Sequence, residues 1–339
     1  MKWLALLLLA CTALFAAPRA EATTICSITS VTGLAFGPVD PTSTNVDASG
    51  TINYTCSYSG ALGILFGSYI TMCFSIGADD QGAFAPRTIL DPLGDRMQYG
   101  LYKDSNRTSI WGVVNNPTYA PFVVQGQIPI LNNGTVFVGS LPFYGRVPSG
   151  QISLSPGAYT GTLLGGTASN ALTYSYNEAL LSIGTYPASC TAGGTVAATT
   201  VAGPSITVTA SVAPKCTLAT ATDLNFGSVN GLLRTATDQT SLVRATCTNR
   251  AAYQVGLDNG QNATGTTRRM IGPGGKYVTY ELYRDSQRTL RWGTALNTDT
   301  ATASGNGSQQ TLTVYGRLPA QAAATAGAYS DVVTITITY

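Results

Sequence analysis

The chain carries the stretch Tyr99-Gly-Leu-Tyr-Lys-Asp-Ser-Asn-Arg-Thr-Ser-Ile-Trp-Gly112 and, later, the stretch Tyr280-Glu-Leu-Tyr-Arg-Asp-Ser-Gln-Arg-Thr-Leu-Arg-Trp-Gly293. Shorter matches occur around both stretches in the same order: Phe36-Gly37 with Phe226-Gly227, Tyr144-Gly-Arg-Val-Pro148 with Tyr315-Gly-Arg-Leu-Pro319, and Gly157-Ala-Tyr159 with Gly327-Ala-Tyr329. Internal similarity of this kind indicates that one domain occurs twice.

Both copies have the sequence features of β-strands. Short alternating runs such as Ile206-Thr-Val-Thr-Ala-Ser-Val212 are broken by Gly, Pro, Asn and Asp, which is typical of strands joined by tight turns. We therefore predict an all-β fold with two tandem immunoglobulin-like β-sandwich domains. The predicted boundaries are a signal peptide at 1–22, a first domain at 23–190, a linker at 191–204 and a second domain at 205–339.

The N-terminus has the pattern of a secretory signal. Lys2 precedes an apolar run from Trp3 to Ala17, and Ala20-Glu21-Ala22 provides a small-x-small cleavage site. An alternative is a lipoprotein signal with Cys11 as the acylated residue, although its apolar core would be unusually short. Either signal predicts export from the cytoplasm.

Composition narrows the possible functions. The 18 basic and 16 acidic residues give a net charge of +2, so nothing predicts binding to nucleic acid. The chain has no histidine, which removes the most common general base and zinc ligand. Asp91 and Asp95 are candidate paired carboxylates, but they lie in a Pro/Gly turn. We expect no enzymatic activity, no metal and no cofactor.

Six cysteines follow the signal sequence, and an even number in an exported chain predicts three disulfides. Cys26–Cys56 and Cys216–Cys247 are equivalent in the two copies, so we expect the same bond in each domain. Cys73–Cys190 then follows by elimination. Three pairings of the four cysteines in the first domain remain possible from the sequence.

The second copy is shorter than the first at its C-terminal side. The first copy continues beyond the last shared strand with enough residues for a closing strand, such as 178–186, and the second copy has none. We therefore expect the second domain to lack its last strand and to accept one from another chain. The apolar face of its final alternating run would contact that strand: Val333, Ile335, Ile337 and Tyr339. The alternative is that this run ends a complete domain.

The repeated motifs quoted above resemble the spore coat U domain, which builds archaic (Csu-type) chaperone–usher pili. Two copies on one chain resemble the two-domain tip adhesin of such pili. The resemblance implies three protein partners: a periplasmic chaperone, an outer-membrane usher and the N-terminal donor strand of the adjacent pilin. It also implies a location at the pilus tip, with attachment to abiotic or host surfaces and biofilm formation. Cleavage after Ala22 would leave only three residues before Cys26, so this chain would accept a strand without donating one.

Insertions in the first copy are candidates for surface-binding loops. Most loops carry polar side chains, whereas these segments, at 59–70, 117–131 and 163–176, are apolar. They either fold back onto the core or form an exposed patch, and we predict the patch. Its predicted residues are Leu62, Ile64, Leu65, Phe66, Tyr69, Tyr119, Phe122, Val123, Val124, Ile128, Ile130, Leu163, Leu164, Leu172 and Tyr174.

Two other functions remain open. In a lectin-like tip, tyrosines such as Tyr58, Tyr69, Tyr119 and Tyr174 would stack on sugar rings, and Asp79 or Asp80 would hold hydroxyl groups. In a structural pilus or coat subunit, the chain would have no binding surface. The aliphatic character of the predicted loops favours adhesion to mainly hydrophobic surfaces.

Overall fold

The structure is a computed structural model that describes residues 23–59, 65–129, 136–181, 183–229, 233–322 and 324–339. It confirms the predicted all-β fold. The only helical segment within these ranges is the 3₁₀ turn Pro273–Gly275. None of the described helices is long and apolar enough to cross a membrane. The predicted signal peptide lies outside the described residues.

The described part of the first domain contains twelve strands. They are β1 (Thr23–Val31), β2 (Leu34–Pro38), β3 (Val46–Ser59), β4 (Phe66–Ser75), β5 (Arg87–Leu90), β6 (Arg96–Tyr102), β7 (Phe122–Ile128), β8 (Val136–Val147), β9 (Gly157–Leu163), β10 (Gly166–Leu180), β11 (Val196–Gly203) and β12 (Ile206–Val212). An eight-stranded sheet has the order β1-β3-β8-β6-β5-β9-β12-β2, and a four-stranded sheet has the order β11-β10-β4-β7. A continuous apolar core with residues from both sheets, such as Tyr54 and Phe74, lies between them.

Eight strands are present in the described residues of the second domain. They are β13 (Cys216–Ala221), β14 (Thr237–Cys247), β15 (Ala252–Leu257), β16 (Arg268–Ile271), β17 (Tyr277–Tyr283), β18 (Ala301–Ser304), β19 (Gln309–Leu318) and β20 (Ile335–Thr338). One sheet has the order β13-β14-β19-β17-β16 and the other β18-β15-β20. A separate apolar core, which includes Cys216, Tyr253 and Trp292, lies between these sheets.

The predicted linker at 191–204 is wrong. Val196–Gly203 forms β11 and pairs with β10, while the following strand β12 lies between β9 and β2. Ile206, Val208 and Val212 are buried in the first core. The first domain therefore extends to about residue 212, and only residues 213–215 connect it to β13.

Three disulfides match the predicted pairing. Cys26–Cys56 and Cys216–Cys247 each join the first strand of a domain to its neighbour in the sheet, while Cys73 of β4 bonds to Cys190. The Cys190 segment crosses the outer face of the four-stranded sheet, where the Thr71 hydroxyl donates to the Pro187 carbonyl at 3.0 Å. This cover explains why β4 is buried along nearly its whole length.

Polar contacts join the two domains beside the short connection. Lys215 Nζ lies 2.6 Å from Asp40 Oδ2, and Asn249 Nδ2 donates to the Ser153 carbonyl at 2.6 Å. Asp40 and Ser153 both lie near the end of the first domain where β3 begins and β8 ends. The opposite end of that domain, where β3 ends at Ser59, is therefore remote from the second domain.

Candidate strand-acceptor groove and surface-binding tip

The motif that the two domains share has a structural role in both. The Trp111 indole is buried and donates to the Phe74 carbonyl at 2.8 Å, and Trp292 donates in the same way to the Val255 carbonyl at 2.7 Å. The turn before each tryptophan is fixed by an arginine, since Arg107 donates to Gly145 and Arg288 to Gly316, both at 3.1 Å. Functional differences between the domains must come from other residues.

Strand β12 fills a groove in the first domain. It runs antiparallel to β9, with Val208 opposite Gly161, and parallel to β2, with Val208 opposite Leu34. Its burial alternates along its length, so that Ile206, Val208, Ala210 and Val212 enter the core and the residues between them face solvent. This alternation is what an amphipathic strand requires.

The second domain has an open groove at the equivalent place. Its volume is about 1280 Å³, and it is lined by residues 221–229, by residues 324–333, by Ile335 and by core side chains such as Leu257, Met270 and Val314. Phe226 and Tyr329, the counterparts of Phe36 and Tyr159, lie on its two sides. No residue that the structure describes fills this groove as β12 fills the first one.

The edges of the open groove lack regular strand structure. In the first domain, β2 and β9 are strands that pair with β12. Their counterparts at 224–228 and 327–333 are not strands, apart from a single bridge at Ser330. The five strands of this sheet thus match β1, β3, β8, β6 and β5 of the eight-stranded sheet. Among the described residues, it has no strands that correspond to β9, β12 and β2.

A polar pair lies inside the groove. The Tyr280 hydroxyl donates to Asp331 Oδ2 at 2.7 Å, and Asn262 Nδ2 donates to Asp331 Oδ1 at 2.9 Å. Burial raises the pKa of the Tyr280 hydroxyl, and its hydrogen bond to the Asp331 carboxylate raises it further. Because Asp331 occupies the position of Gly161 in β9, a strand in this groove would meet a carboxylate midway along its length.

The predicted acceptor residues lie on and beside this groove. Val333 and Ile335 line it, and Ile337 is packed partly against the second core. Tyr339 is 56% exposed. The predicted alternation is present, because Thr334, Thr336 and Thr338 face solvent while the three aliphatic residues are half-buried.

The identity of the missing strand differs from the prediction. We expected the second domain to lack a counterpart of 178–186. Residues up to Leu180 instead belong to β10, whose counterpart β20 is present, and residues 183–190 cross the outer face of the sheet. The element absent from the described residues of the second domain is the counterpart of β12.

Several strand ends lie together at the end of the first domain that is remote from the second. β3 ends at Ser59 and β4 begins at Phe66, while Ile128 at the end of β7 pairs with Ser68 of β4. Strand β8 begins at Val136 opposite Ser57, and β10 ends at Leu180 opposite Phe66. The connections between β3 and β4, between β7 and β8, and after β10 therefore emerge at one end, which we call the tip.

Sequence reasoning missed an apolar part of the tip. Leu181 donates its amide to the Leu65 carbonyl at 2.8 Å, which holds the segment after β10 against the β3–β4 connection. Leu65, Leu180 and Leu181 are exposed, and Ile183 is 82% exposed. On the adjoining sheet face, Ile25, Val136 and Val138 are also exposed. The signal was present in Leu180-Leu-Ser-Ile183, but the prediction placed this segment in a strand.

Several predicted surface residues belong to the core instead. Tyr69, Ile128, Leu163, Leu172 and Tyr174 are buried, so they cannot form part of an exposed patch. The patterns that made these positions look like apolar loops come from strands β4, β7, β9 and β10.

The other predicted residues lie on different parts of the domain. Of these, Leu65 is exposed at the tip, while Phe66, Phe122 and Val124 are half-buried against the core. Tyr119 stacks on Phe84, and Val123 and Leu164 are exposed. These last three lie toward the opposite end, since Phe122 pairs with Phe74 and Ala171 pairs with Ser75. The remaining predicted residues lie outside the described part of the chain: Leu62, Ile64 and Ile130.

A half-buried carboxyl group lies beneath the tip. Glu178 Oε1 and the Tyr58 hydroxyl are both buried and have no hydrogen-bond partner among the described residues. Burial raises the pKa of the Glu178 carboxyl, and burial together with the nearby Glu178 raises the pKa of the Tyr58 hydroxyl. The ionised carboxylate therefore destabilises the folded tip.

Glu178→Gln is expected to raise the melting temperature at pH 7. The folded protein binds the Glu178 proton more tightly than the unfolded chain does, so ionisation costs stability as the pH rises through the folded-state pKa. Below the ordinary carboxyl pKa both states are protonated, and the difference between variant and wild type should disappear. Thermal unfolding measured from below the ordinary carboxyl pKa up to pH 7 checks the prediction. An equal gain in melting temperature at every pH would contradict it.

Solved structures and one family model are similar to this chain. No curated protein matches the chain. A similar solved structure is the CsuC–CsuE chaperone–tip adhesion subunit pre-assembly complex of archaic chaperone–usher Csu pili from Acinetobacter baumannii, at 18% identity and a TM-score of 0.44, covering 91% of this chain and 100% of that chain. Another is the CupB6 tip adhesin of Pseudomonas aeruginosa, at 11% identity and a TM-score of 0.31, covering 94% of each chain.

A third similar structure is AggA, the major subunit of aggregative adherence fimbriae type I from Escherichia coli, at 12% identity and a TM-score of 0.24, covering 57% of this chain and 97% of that chain. The family model of the Spore Coat Protein U domain matches residues 11–165 and 202–336, one segment for each copy of the repeat. These two segments make up most of the sequence, and the chain therefore belongs to the Spore Coat Protein U domain family.

Proposed function

We propose that this protein is the tip adhesin of a chaperone–usher pilus. Its second domain accepts a strand from another polypeptide, and its first domain attaches the pilus to mainly hydrophobic surfaces and supports biofilm formation. The strand is supplied by a periplasmic chaperone during export and then by the N-terminal donor strand of the adjacent pilin, after an outer-membrane usher has delivered the subunit to the cell surface. The chain is not an enzyme in this proposal.

The observation that carries the proposal is the open groove of the second domain. The equivalent groove of the first domain is filled by β12, so the fold itself provides an example of the occupant. Burying four apolar side chains at about 1.5–3 kcal/mol each stabilises a domain by roughly 6–12 kcal/mol before entropic costs. Because this is close to the whole stability of a typical domain, the second domain depends on its partner strand.

The position of the tip supports the adhesive role. Its apolar side chains lie at the end of the first domain that is remote from the second, so a pilus attached through the groove would present them to a surface. Contact with a surface removes exposed apolar residues such as Leu181 and Ile183 from water, which lowers the free energy of the system. Many pili on one cell would add their weak contacts through avidity.

A glycan-binding tip has less support. Three of the tyrosines that would stack on sugar rings, Tyr58, Tyr69 and Tyr174, are buried, and Tyr119 stacks on Phe84. Asp79 accepts hydrogen bonds from the amides of Gln81, Ala83 and Thr88, so its carboxylate is already engaged. The aliphatic tip therefore favours a hydrophobic surface over a sugar.

Supplying the missing strand tests the strand-acceptor part of the proposal. We expect that a copy of Ile206–Val212, fused after Tyr339 through a flexible linker, will make the protein a soluble monomer in the periplasm without a chaperone. The unfused chain should be recovered only as a complex or be degraded. Yield and size-exclusion elution measure the result.

The matched control is the same fusion with aspartate in place of Val208 within the copy. Its buried charge should prevent the strand from entering the groove. Equal yields of the unfused chain, the fusion and the control would contradict the proposal, because the second domain would then be stable with its groove empty.

A further inference from the structure

The second domain has another open edge besides its groove. Its three-stranded sheet, β18-β15-β20, matches β7-β4-β10 of the four-stranded sheet. In the first domain, β11 pairs with the far side of β10, whereas none of the described strands pairs with β20 on the side away from β15. Strand β20 is therefore an unprotected edge strand, and such an edge invites pairing with another chain.

One continuous segment covers both open edges in the first domain. Strand β11 pairs with β10 in one sheet, the chain crosses to the other sheet at Pro204 and Ser205, and β12 then enters the groove. The crossing is fixed by two hydrogen bonds. Gly165 donates its amide to Ser205 Oγ at 2.9 Å, and Asn170 Nδ2 donates to the Pro204 carbonyl at 3.3 Å.

The equivalences between the domains place both halves of this segment on the second domain. Leu172 lies opposite Phe74, and Ile337 lies opposite Val255, the counterpart of Phe74. Because Leu172 also pairs with Val201 of β11, a strand like β11 would pair with β20 around Ile337. Its continuation would begin to enter the groove beside Val333, as Ile206 does beside Leu163.

We propose that the partner of the second domain binds as two connected strands. This inference rests on the proposed function and specifies the partner. Its first strand pairs antiparallel with the free edge of β20, a short bend with small or proline residues follows, and its second strand fills the groove. The second strand carries alternating apolar residues, as β12 does, and the whole segment is about the length of Val196–Val212.

Two physical arguments support a two-strand partner over a single strand. A single strand in the groove would leave the edge of Ile335–Thr338 open, and an open edge invites pairing with further chains. In addition, a partner anchored on β20 would hold its second strand next to the groove, so that the second contact becomes intramolecular.

Amide hydrogen exchange on two fusion proteins tests the inference. One carries a copy of Ile206–Val212 after Tyr339 and the other carries a copy of Val196–Val212, each with a flexible linker. In the longer fusion, we expect the amides of β20 that point away from β15 to exchange at least about tenfold more slowly than in the shorter one. Amides of β14 and β19, which are paired in both proteins, serve as the internal reference.

The matched control is the longer fusion with Thr200→Pro and Val201→Pro within the copy. These prolines remove backbone donors from the first strand and leave the groove-filling strand unchanged, so exchange at β20 should return to the rate of the shorter fusion. Equal exchange in the shorter and longer fusions, both soluble and monomeric, would overturn the two-strand partner alone. If neither fusion were soluble or monomeric, the strand-acceptor function itself would fail.

Discussion

The double substitution Leu181→Ser and Ile183→Ser is expected to reduce the attachment of piliated cells to polystyrene by at least about tenfold. Both side chains are exposed at the tip, and Ile183 is the more exposed of the two. If contact with a surface buries them only partly, the loss is about 2 kcal/mol per tip, which corresponds to roughly thirtyfold in affinity. Avidity among many pili would enlarge the effect at the level of cells.

The matched control for this variant is serine at Leu290 and Leu296. These leucines of the second domain are about half exposed, so the control removes a similar apolar area away from the tip. Pili sheared from each strain should contain equal amounts of the subunit. Unchanged attachment by the tip variant at equal piliation would refute the tip as the adhesive surface, and an equal loss in the control would show that apolar area anywhere on the protein is sufficient.

Val208→Asp is expected to abolish cooperative folding of the first domain. The Val208 side chain is completely buried between β9 and β2. The substitution loses about 1.5–3 kcal/mol of burial and adds the cost of a buried, unpaired carboxylate, which is several kcal/mol more. Together these approach the whole stability of a typical domain. The first domain should lose its folding even though Val208 lies close in the sequence to Cys216, where the second domain begins.

Thr209→Asp is the matched control, because its side chain faces solvent in the same strand. Both variants are best made in the chain that carries a fused groove strand, so that the second domain stays folded. Limited proteolysis with mass spectrometry should place the new cleavage sites of Val208→Asp within residues 23–212 only. Cleavage confined to the second domain would contradict the assignment of β12 to the first.

The sequence by itself determined the duplication and the all-β fold, and it predicted a disulfide at the equivalent position of each domain. Each rests on local or repeated information: the motif ending in Trp111 and Trp292, the period-two runs, and the equivalent positions of Cys26 and Cys216. It also predicted the alternation of Val333, Ile335 and Ile337, because a strand with one buried face must alternate. These features need no knowledge of which elements meet in space.

Only the tertiary structure decided which core each strand completes. The alternation of Ile206–Val212 shows that one face is buried but does not say against what, so the sequence placed this strand in the domain that follows it. Its partners, Leu34 and Leu163, are distant in the chain. The same limit applies to the tip: Leu172 and Leu181 are equally apolar, yet one lies in the core and the other in solvent. Exposure depends on which sheet, loop or disulfide-bonded segment covers a residue, and those contacts are long-range.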